Sequence, residues 1–135
     1  MLRTYDPSEV SVAFGASLLT GWNTVRPSRA EDGAMFSAGT SGEITRSLNA
    51  NKLGTITLTY PQSSPENLIL SGYEASKVTV PVTILDKSGT TVCIMKFGTV
   101  VKPPDSEFGK EAGTREWAIT GEMPVMIIGG NNPET

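Results

Sequence analysis

The residues that could do chemistry cluster in the segment EFGKEAGTREW, residues 107–117. Together with an aspartate just before it, this segment carries acids and bases of both signs: Asp105, Glu107, Lys110, Glu111 and Arg115. A pair of carboxylates works as acid and base when an apolar pocket moves their pKa values apart, and the surrounding sequence supplies no such pocket. The charges alone therefore do not predict an active site.

Motifs for metal and phosphate binding are incomplete in this segment. A calcium loop that began at Asp105 would need glycine at its sixth position, where Lys110 stands. A phosphate loop would need serine or threonine after Gly109 and Lys110, where the chain has Glu111. The chain also has no histidine, the commonest general base and metal ligand. We therefore expect no enzymatic activity, no metal and no cofactor.

Phe108 gives the segment a different interpretation. A phenylalanine in a charged loop flanked by glycine has few ways to be buried within its own subunit, and an aromatic among charges of both signs is typical of subunit interfaces. We predict that residues 103–113 form a docking loop between subunits or rings, with Asp105, Glu107, Phe108, Lys110, Glu111 and Arg115 in the interface. The alternative is that Lys110 and Glu111 only solvate a surface loop.

Length and composition predict one folded domain over residues 1–135. The formal net charge is -3, and no run of lysine and arginine is interleaved with aromatics, which argues against a nucleic-acid-binding surface. No apolar stretch approaches the ~18 residues of a membrane span, and the start lacks the apolar core of a signal peptide. The single cysteine, Cys93, is expected to be a buried thiol in a protein assembled in a reducing cytoplasm.

The elements that position this segment are mainly strands. Apolar and polar residues alternate in EVSVAFG, GTITLTY, KVTVPVTILD and GTREWAIT, the pattern of half-buried strands. Pro81 indicates an edge or a bulge, and DKSG at 86–89 predicts a tight hairpin turn. The inward positions predict a core that contains Ile56, Leu58, Val80, Val82 and Trp117. TTVCIMKFGTVV is apolar on both faces, so it lies between two layers or against another subunit.

One short helix completes the predicted elements. Ser64 suits the N-cap, Pro65 the first helical position and Glu66 the positive end of the helix dipole. The following ENLILSGYEAS places Leu68, Ile69 and Tyr73 at helical spacing. Extended loops are expected near 31–42 and 103–113, with a C-terminal extension at 123–135. The predicted fold is an antiparallel β-sandwich or barrel with one short flanking α-helix.

Three blocks of the sequence, in order, resemble the tail tube proteins of contractile-tailed bacteriophages. The blocks are YDPSEVSVAFG, EDGAMFSAGTSGEITRSLNANKLGTITLTYPQSSPEN and PPDSEFGKEAGTREWAITGE. They span roughly residues 5 to 122, so the resemblance covers most of the chain. The end of the chain, MPVMIIGGNNPET, has no counterpart in the resemblance.

The resemblance implies a structural subunit of the virion that forms homo-hexameric rings. The rings stack into a hollow tube inside a contractile sheath, and DNA is ejected through the tube without specific binding. Sheath, tape-measure, baseplate and tail-terminator proteins are the implied partners, and no membrane is involved. In similar proteins, strands of neighbouring subunits form a continuous inner barrel, while loops and chain ends contact the adjacent ring.

Charge extends this expectation to the tube interior. A wall that neutralised phosphates would release counterions and hold the DNA, so we expect a net-negative lumen. Glu43 and Glu116 are the candidates to line it, since both fall on polar faces. Two alternatives remain open: the tube of a non-contractile tail or of a related injection machine, and a small ligand-binding β-sandwich. A row of exposed aromatics would favour the last, and the sequence shows none.

Overall fold

Antiparallel strands make up about half of the described residues in the computed structural model, which describes residues 6–15, 17–87, 89–101, 103–104 and 108–129. Within these ranges there is one α-helix, α1, Glu66–Ser76, and no helix is long and apolar enough to cross a membrane. This mainly β architecture with one helix confirms the predicted fold class. The strands are β1 Val10–Phe14, β2 Ser17–Leu19, β3 Thr24–Arg29, β4 Ala34–Ala38, β5 Ile44–Leu48, β6 Leu53–Pro61, β7 Val80–Asp86, β8 Val92–Val100, β9 Thr114–Glu122 and β10 Val125–Ile127.

Eight of these strands form one sheet that curls around a single core. The strand order is β2-β1-β7-β8-β9-β6-β3, and β10 pairs with β8 beyond the end of β9. Val12 and Leu19 come from one edge of this order and Val25 from the other, yet all three pack in the same cluster. The inner face of the sheet is therefore the core side. Ile56, Leu58, Val82 and Trp117 are buried there, and Val80 packs against them half-buried.

The two-sided apolar run forms β8, in the middle of the sheet. Cys93 and Met95 point into the core, but a bulge opposite Pro81 makes both Lys96 and Phe97 face outward. Pro81 predicted either a bulge or an edge strand. The bulge is present, and the prediction of an edge strand is wrong because β7 lies between β1 and β8. Phe97 is 62% exposed, so the second face of β8 is not buried within the subunit.

A row of three glycines crosses the sheet at the start of β6. Gly54 pairs with Gly121, and Gly121 pairs with Gly98 on the other side. A Cβ at Gly54 would come within 2.9 Å of a backbone oxygen, and one at Gly121 would overlap the carbonyl of Phe97. Side chains would prevent this close approach, in which Gly54 also lies against the buried Met123.

Helix α1 packs on the inner face of the sheet. Its N-cap is Pro65 rather than the predicted Ser64, whose hydroxyl nevertheless accepts a hydrogen bond from the backbone nitrogen of Glu66 at 3.3 Å. Leu70 is buried in the core and the Tyr73 ring meets Phe14 edge-on at 4.7 Å. Leu68 is exposed. The helix therefore contacts the core through Leu70 and Tyr73 rather than through Leu68.

The predicted extended loop near 31–42 is wrong, because its central part is strand β4. β4 and β5 form a separate two-stranded sheet, and every residue of both strands is exposed. We call this hairpin, residues 34–48, the arm. The predicted C-terminal extension is also shorter, because Met123 lies in the core and β10 pairs with β8 through Val125 and Ile94.

Candidate assembly surface

The arm carries an apolar face that its own subunit does not cover. Opposite residues of an antiparallel pair point to the same side, so one face combines three cross-strand pairs. These pairs are Ala34–Leu48, Phe36–Arg46 and Ala38–Ile44. Phe36 is 71% exposed, and Ile44 and Leu48 are each 73% exposed. Large apolar groups that lie together in water indicate a surface that binds another molecule.

The other face of the arm is mostly hydroxylic. It combines Met35 with Ser47 and Ser37 with Thr45. Two-stranded hairpins are marginally stable in water on their own. An amphipathic arm of this kind is therefore suited to fold against a partner, with the apolar face inward and the hydroxyl face in water.

Hydrogen bonds hold the root of the arm. The Asn49 side chain donates to the carboxylate of Glu31 at 2.7 Å and to the carbonyl of Asp32 at 3.1 Å, and its oxygen accepts from the backbone of Asn51. The hydrogen bond from the Asn49 side chain, and to a lesser extent one from the Asn51 side chain, lowers the pKa of Glu31. The root is thus specified by asparagine side chains, the residue type that most readily bonds to nearby backbone.

The Met123–Pro124 corner connects the arm's root to the end of the sheet. The Arg29 guanidinium donates to the carbonyl of Met123 at 3.1 Å, just before the chain enters the arm. Where the chain leaves the arm, the carbonyl of Lys52 accepts from the backbone nitrogen of Met123 at 2.7 Å. The chain is therefore attached, both before and after the arm, to the point where β9 passes into β10.

The predicted docking loop lies at another place in the fold. Phe108 is 80% exposed, and Lys110 and Glu111 are exposed beside it. Arg115 differs from the prediction of an interface contact, because it is only 7% exposed and lies on the inner face of β9. Its guanidinium carbon is 5.4 Å from the centre of the Phe108 ring. Asp105 and Glu107 lie outside the described residues.

A groove of about 480 Å³ separates this loop from helix α1. Leu68 of the helix, Phe108 of the loop and Trp117 of β9 are among the residues that line it. The Trp117 indole donates to the Asn67 side chain at 2.9 Å, which ties β9 to the helix. The groove combines apolar side chains with polar ones such as Asn67 and Arg115, a mixture that is found in protein–protein interfaces.

The two acidic lumen candidates are exposed but lie on different elements. Glu43 is in the turn of the arm, and Glu116 is on the outer face of β9.

Among the described residues, no three histidine, cysteine, aspartate or glutamate residues are grouped in a way that could hold a metal ion. Cys93 is buried, and burial raises the pKa of its thiol.

The sequence reasoning missed the arm, although a signal was present. AMFSA and ITRSL each begin and end with an apolar residue, and the segment between them contains Gly39 and Gly42. Gly42 adopts a positive φ of 85°, and the nitrogen of Gly39 donates to the carbonyl of Glu43 at 2.8 Å. Two strand-length runs separated by a short segment that contains glycine indicate a hairpin.

The chain belongs to a phage structural family. The family model described as bacteriophage PhiTE tail tube protein matches residues 10–128. This confirms the predicted membership of a phage tail tube family, and tail tube proteins are structural components of the virion. No curated protein matches the sequence significantly.

Solved structures of contractile injection systems have the same fold. The sheath/tube terminator of the extracellular contractile injection system PVC, in its extended state, is similar with a TM-score of 0.63 and 12% identity, over 93% of this chain and 97% of that chain. A chain of the PVC sheath-tube complex is similar with a TM-score of 0.61 and 15% identity, over 92% and 90%. The tube terminating cap of the anti-feeding prophage gives 0.61 and 9%, over 90% and 89%.

Proposed function

We propose that the protein forms homo-hexameric rings that stack into the tail tube of a contractile-tailed phage. DNA is ejected through this tube, and a sheath surrounds it. The partners are further copies of the chain, with sheath, tape-measure, baseplate and tail-terminator proteins at its surface and ends. The subunits assemble in the host cytoplasm and perform no reaction of their own. Family membership supports the tube role, and the solved sheath-tube complex of similar fold supports a sheath partner.

The observation that carries the proposal is the arm. Phe36, Ile44 and Leu48 are exposed together on a hairpin that makes a sheet of its own. Burying each of these side chains contributes about 1.5–3 kcal/mol. A second copy of the chain can supply this burial at every arm in turn, so that subunits join into a closed ring. The exposed Phe108 loop is proposed as a further contact, between subunits or between rings.

Electron microscopy of the purified protein tests this function. We expect six-fold rings or tubes from the unaltered protein. A variant with Phe36→Ser and Ile44→Ser should remain small, while its thermal unfolding stays close to that of the unaltered protein. The matched control is Ser37→Ala with Thr45→Ala on the hydroxyl face of the same arm, which should still assemble.

Each contrary outcome of this experiment has a definite meaning. A homogeneous monomer over a wide concentration range would contradict the tube and favour a ligand-binding module. Rings that never stack would indicate a terminator or cap instead, the roles named for two proteins of similar fold. A tube that assembles but never binds a sheath protein would favour a non-contractile tail.

A further inference from the structure

Over most of its length, the outer face of β3, β6 and β9 lacks the exposed large apolar side chains found elsewhere on the described chain. Such side chains lie on the arm, on helix α1, at Phe108 and at the end of β10, and also at Leu18, Leu53, Val78, Leu85, Phe97 and Val101. None lies on the outer face of β3, β6 and β9 over residues 24–28, 55–59 and 116–120. Since exposed apolar groups mark the surfaces that are covered on assembly, this face is the one suited to remain in water.

Register shows what this face is made of. Its three cross-strand rows are Thr24–Thr59–Glu116, Arg26–Thr57–Ala118 and Ser28–Thr55–Thr120, and β8 extends the third row with Thr99. Apart from Arg26, Glu116 and Ala118, every residue in these rows bears a hydroxyl. The hydroxyl oxygens of Thr55 and Thr120 are 3.3 Å apart, within hydrogen-bond distance across the strands. We call these residues the hydroxyl face.

The hydroxyl face has a defined end and almost no net charge. Along the strands, the glycine row follows its third row. The next row of side chains on the outer face is Leu53–Glu122–Phe97, which is partly apolar. Within the face, one arginine and one glutamate balance each other. It has no cluster of cations that could neutralise phosphates, and therefore no strong means of holding DNA through counterion release.

We propose that the hydroxyl face lines the channel, and that the moving DNA duplex passes a neutral, hydroxyl-covered wall rather than an acidic one. Hydroxyls stay hydrated by donating to and accepting from water, and each single contact with a phosphate exchanges one such bond for another. A wall of this kind neither attracts nor repels the duplex over the ~8–10 Å range of electrostatic screening. The inference rests on the proposed tube function and names the chemistry of its inner surface.

Cysteine labelling of assembled tubes tests the position of this face. The single native thiol, Cys93, is buried, so Thr57→Cys adds one reactive site to a quiet background. Tubes of this variant are treated with a biotin maleimide, and streptavidin is then added before and after the tubes are dissociated. Thr59→Cys repeats the measurement in the next row in case the first variant fails to assemble.

The expected result has two parts. Biotin maleimide should label the tubes nearly completely, because the face is in water, and streptavidin should bind along the tube only after dissociation, because it is too large to enter a channel that fits one duplex. Streptavidin along intact tubes would place the face outside, and failure of the small reagent would place it in an interface. Either result overturns the inference while the tube itself stands. Failure of the unaltered protein to form tubes would overturn the proposed function as well.

A matched position on the helix controls for the assay. Ser71 is exposed on α1, which packs on the inner side of the sheet, opposite the hydroxyl face. Ser71→Cys should therefore either bind streptavidin on intact tubes or resist the small reagent. If it behaved like Thr57→Cys, both sides of the sheet would share one channel, and the assignment would be wrong.

Discussion

Phe108 and Trp117 lie on the same groove but have opposite surroundings, and single substitutions separate their roles. Phe108 is almost fully exposed, and its contact with Arg115 contributes only about 0.5–1 kcal/mol if it resembles other exposed cation–π pairs. We expect Phe108→Ala to weaken assembly by about 2 kcal/mol or more, the cost of losing an interface anchor, with little change in melting. Sedimentation and thermal unfolding measure the two effects separately.

Trp117→Ala provides the contrast to Phe108→Ala. Trp117 is buried and donates a hydrogen bond to Asn67, so its removal should lower the free energy of unfolding by about 3–5 kcal/mol. A sharp loss of melting temperature in Phe108→Ala with normal assembly of the folded fraction would show that Phe108 is part of the core.

Tyr60 predicts how stability changes at high pH. Its ring is buried and, within the described part of the chain, its hydroxyl has no hydrogen-bond partner. Burial, and to a lesser extent the charge of Glu66, raises the pKa of Tyr60 to about 12 from its ordinary value of 10. The folded state holds this proton more tightly than the unfolded state. The contribution of the protonated Tyr60 to the free energy of unfolding is therefore complete below pH 10 and is lost as the pH rises through 12.

Urea unfolding of Tyr60→Phe at pH 8 and pH 11 checks this. At pH 8 the variant should be as stable as the unaltered protein or slightly more so, because a buried unpaired hydroxyl is removed. At pH 11 the free energy of unfolding of Tyr60→Phe should exceed that of the unaltered protein by more than it does at pH 8. A large loss of stability at pH 8 would mean that the hydroxyl has a partner that matters.

At the scale of elements, the glycine row allows β6, β9 and β8 to approach one another closely. A methyl group at Gly121 would overlap the backbone of Phe97, and neither strand can move without disturbing its pairing. We expect Gly121→Ala to lower the free energy of unfolding by about 1–3 kcal/mol, the usual cost of overpacking. Chemical unfolding of the purified variant measures this directly.

Gly72→Ala is the matched control for Gly121→Ala. A Cβ at Gly72 meets nothing within 4 Å, and the residue lies inside helix α1. Alanine should therefore stabilise the protein by about 0.5–1 kcal/mol through its helix propensity. Equal effects of the two substitutions would show that close packing at the row is not the cause.

At the scale of the whole molecule, the prediction concerns DNA. We expect assembled tubes not to retain duplex DNA at ~0.15 M salt, where a non-specific binder reaches a Kd of roughly 10⁻⁴–10⁻⁶ M. Thr57→Lys should produce retention that weakens steeply as salt rises, because each neutralised phosphate adds a slope of about 0.9. An electrophoretic shift with both kinds of tube measures this. Salt-sensitive retention by the unaltered tubes would contradict a non-binding wall.

Sequence alone determined the strand faces and the class of protein. Whether a side chain in a strand points inward is a local matter, because the pleat has a period of two, and so the inward positions of Ile56, Leu58 and Trp117 could be predicted from alternation. The absence of histidine and the mismatches at Lys110 and Glu111 were likewise readable from residue types. The family resemblance used ordered blocks over most of the chain, and the family model covers 10–128.

Tertiary structure decided everything that depends on which elements meet. Leu68, Ile69 and Leu70 are equally apolar, and only the position of α1 on the sheet made Leu70 the core residue. The sequence predicted Arg115 as an interface residue, but Arg115 lies on the inward face of β9, where its guanidinium contacts the Phe108 ring. The exposure of the arm is a non-local fact, because it depends on β4 and β5 pairing only with each other among the described strands. The hydroxyl face exists only because register aligned threonines from separate strands, and register is set by long-range pairing.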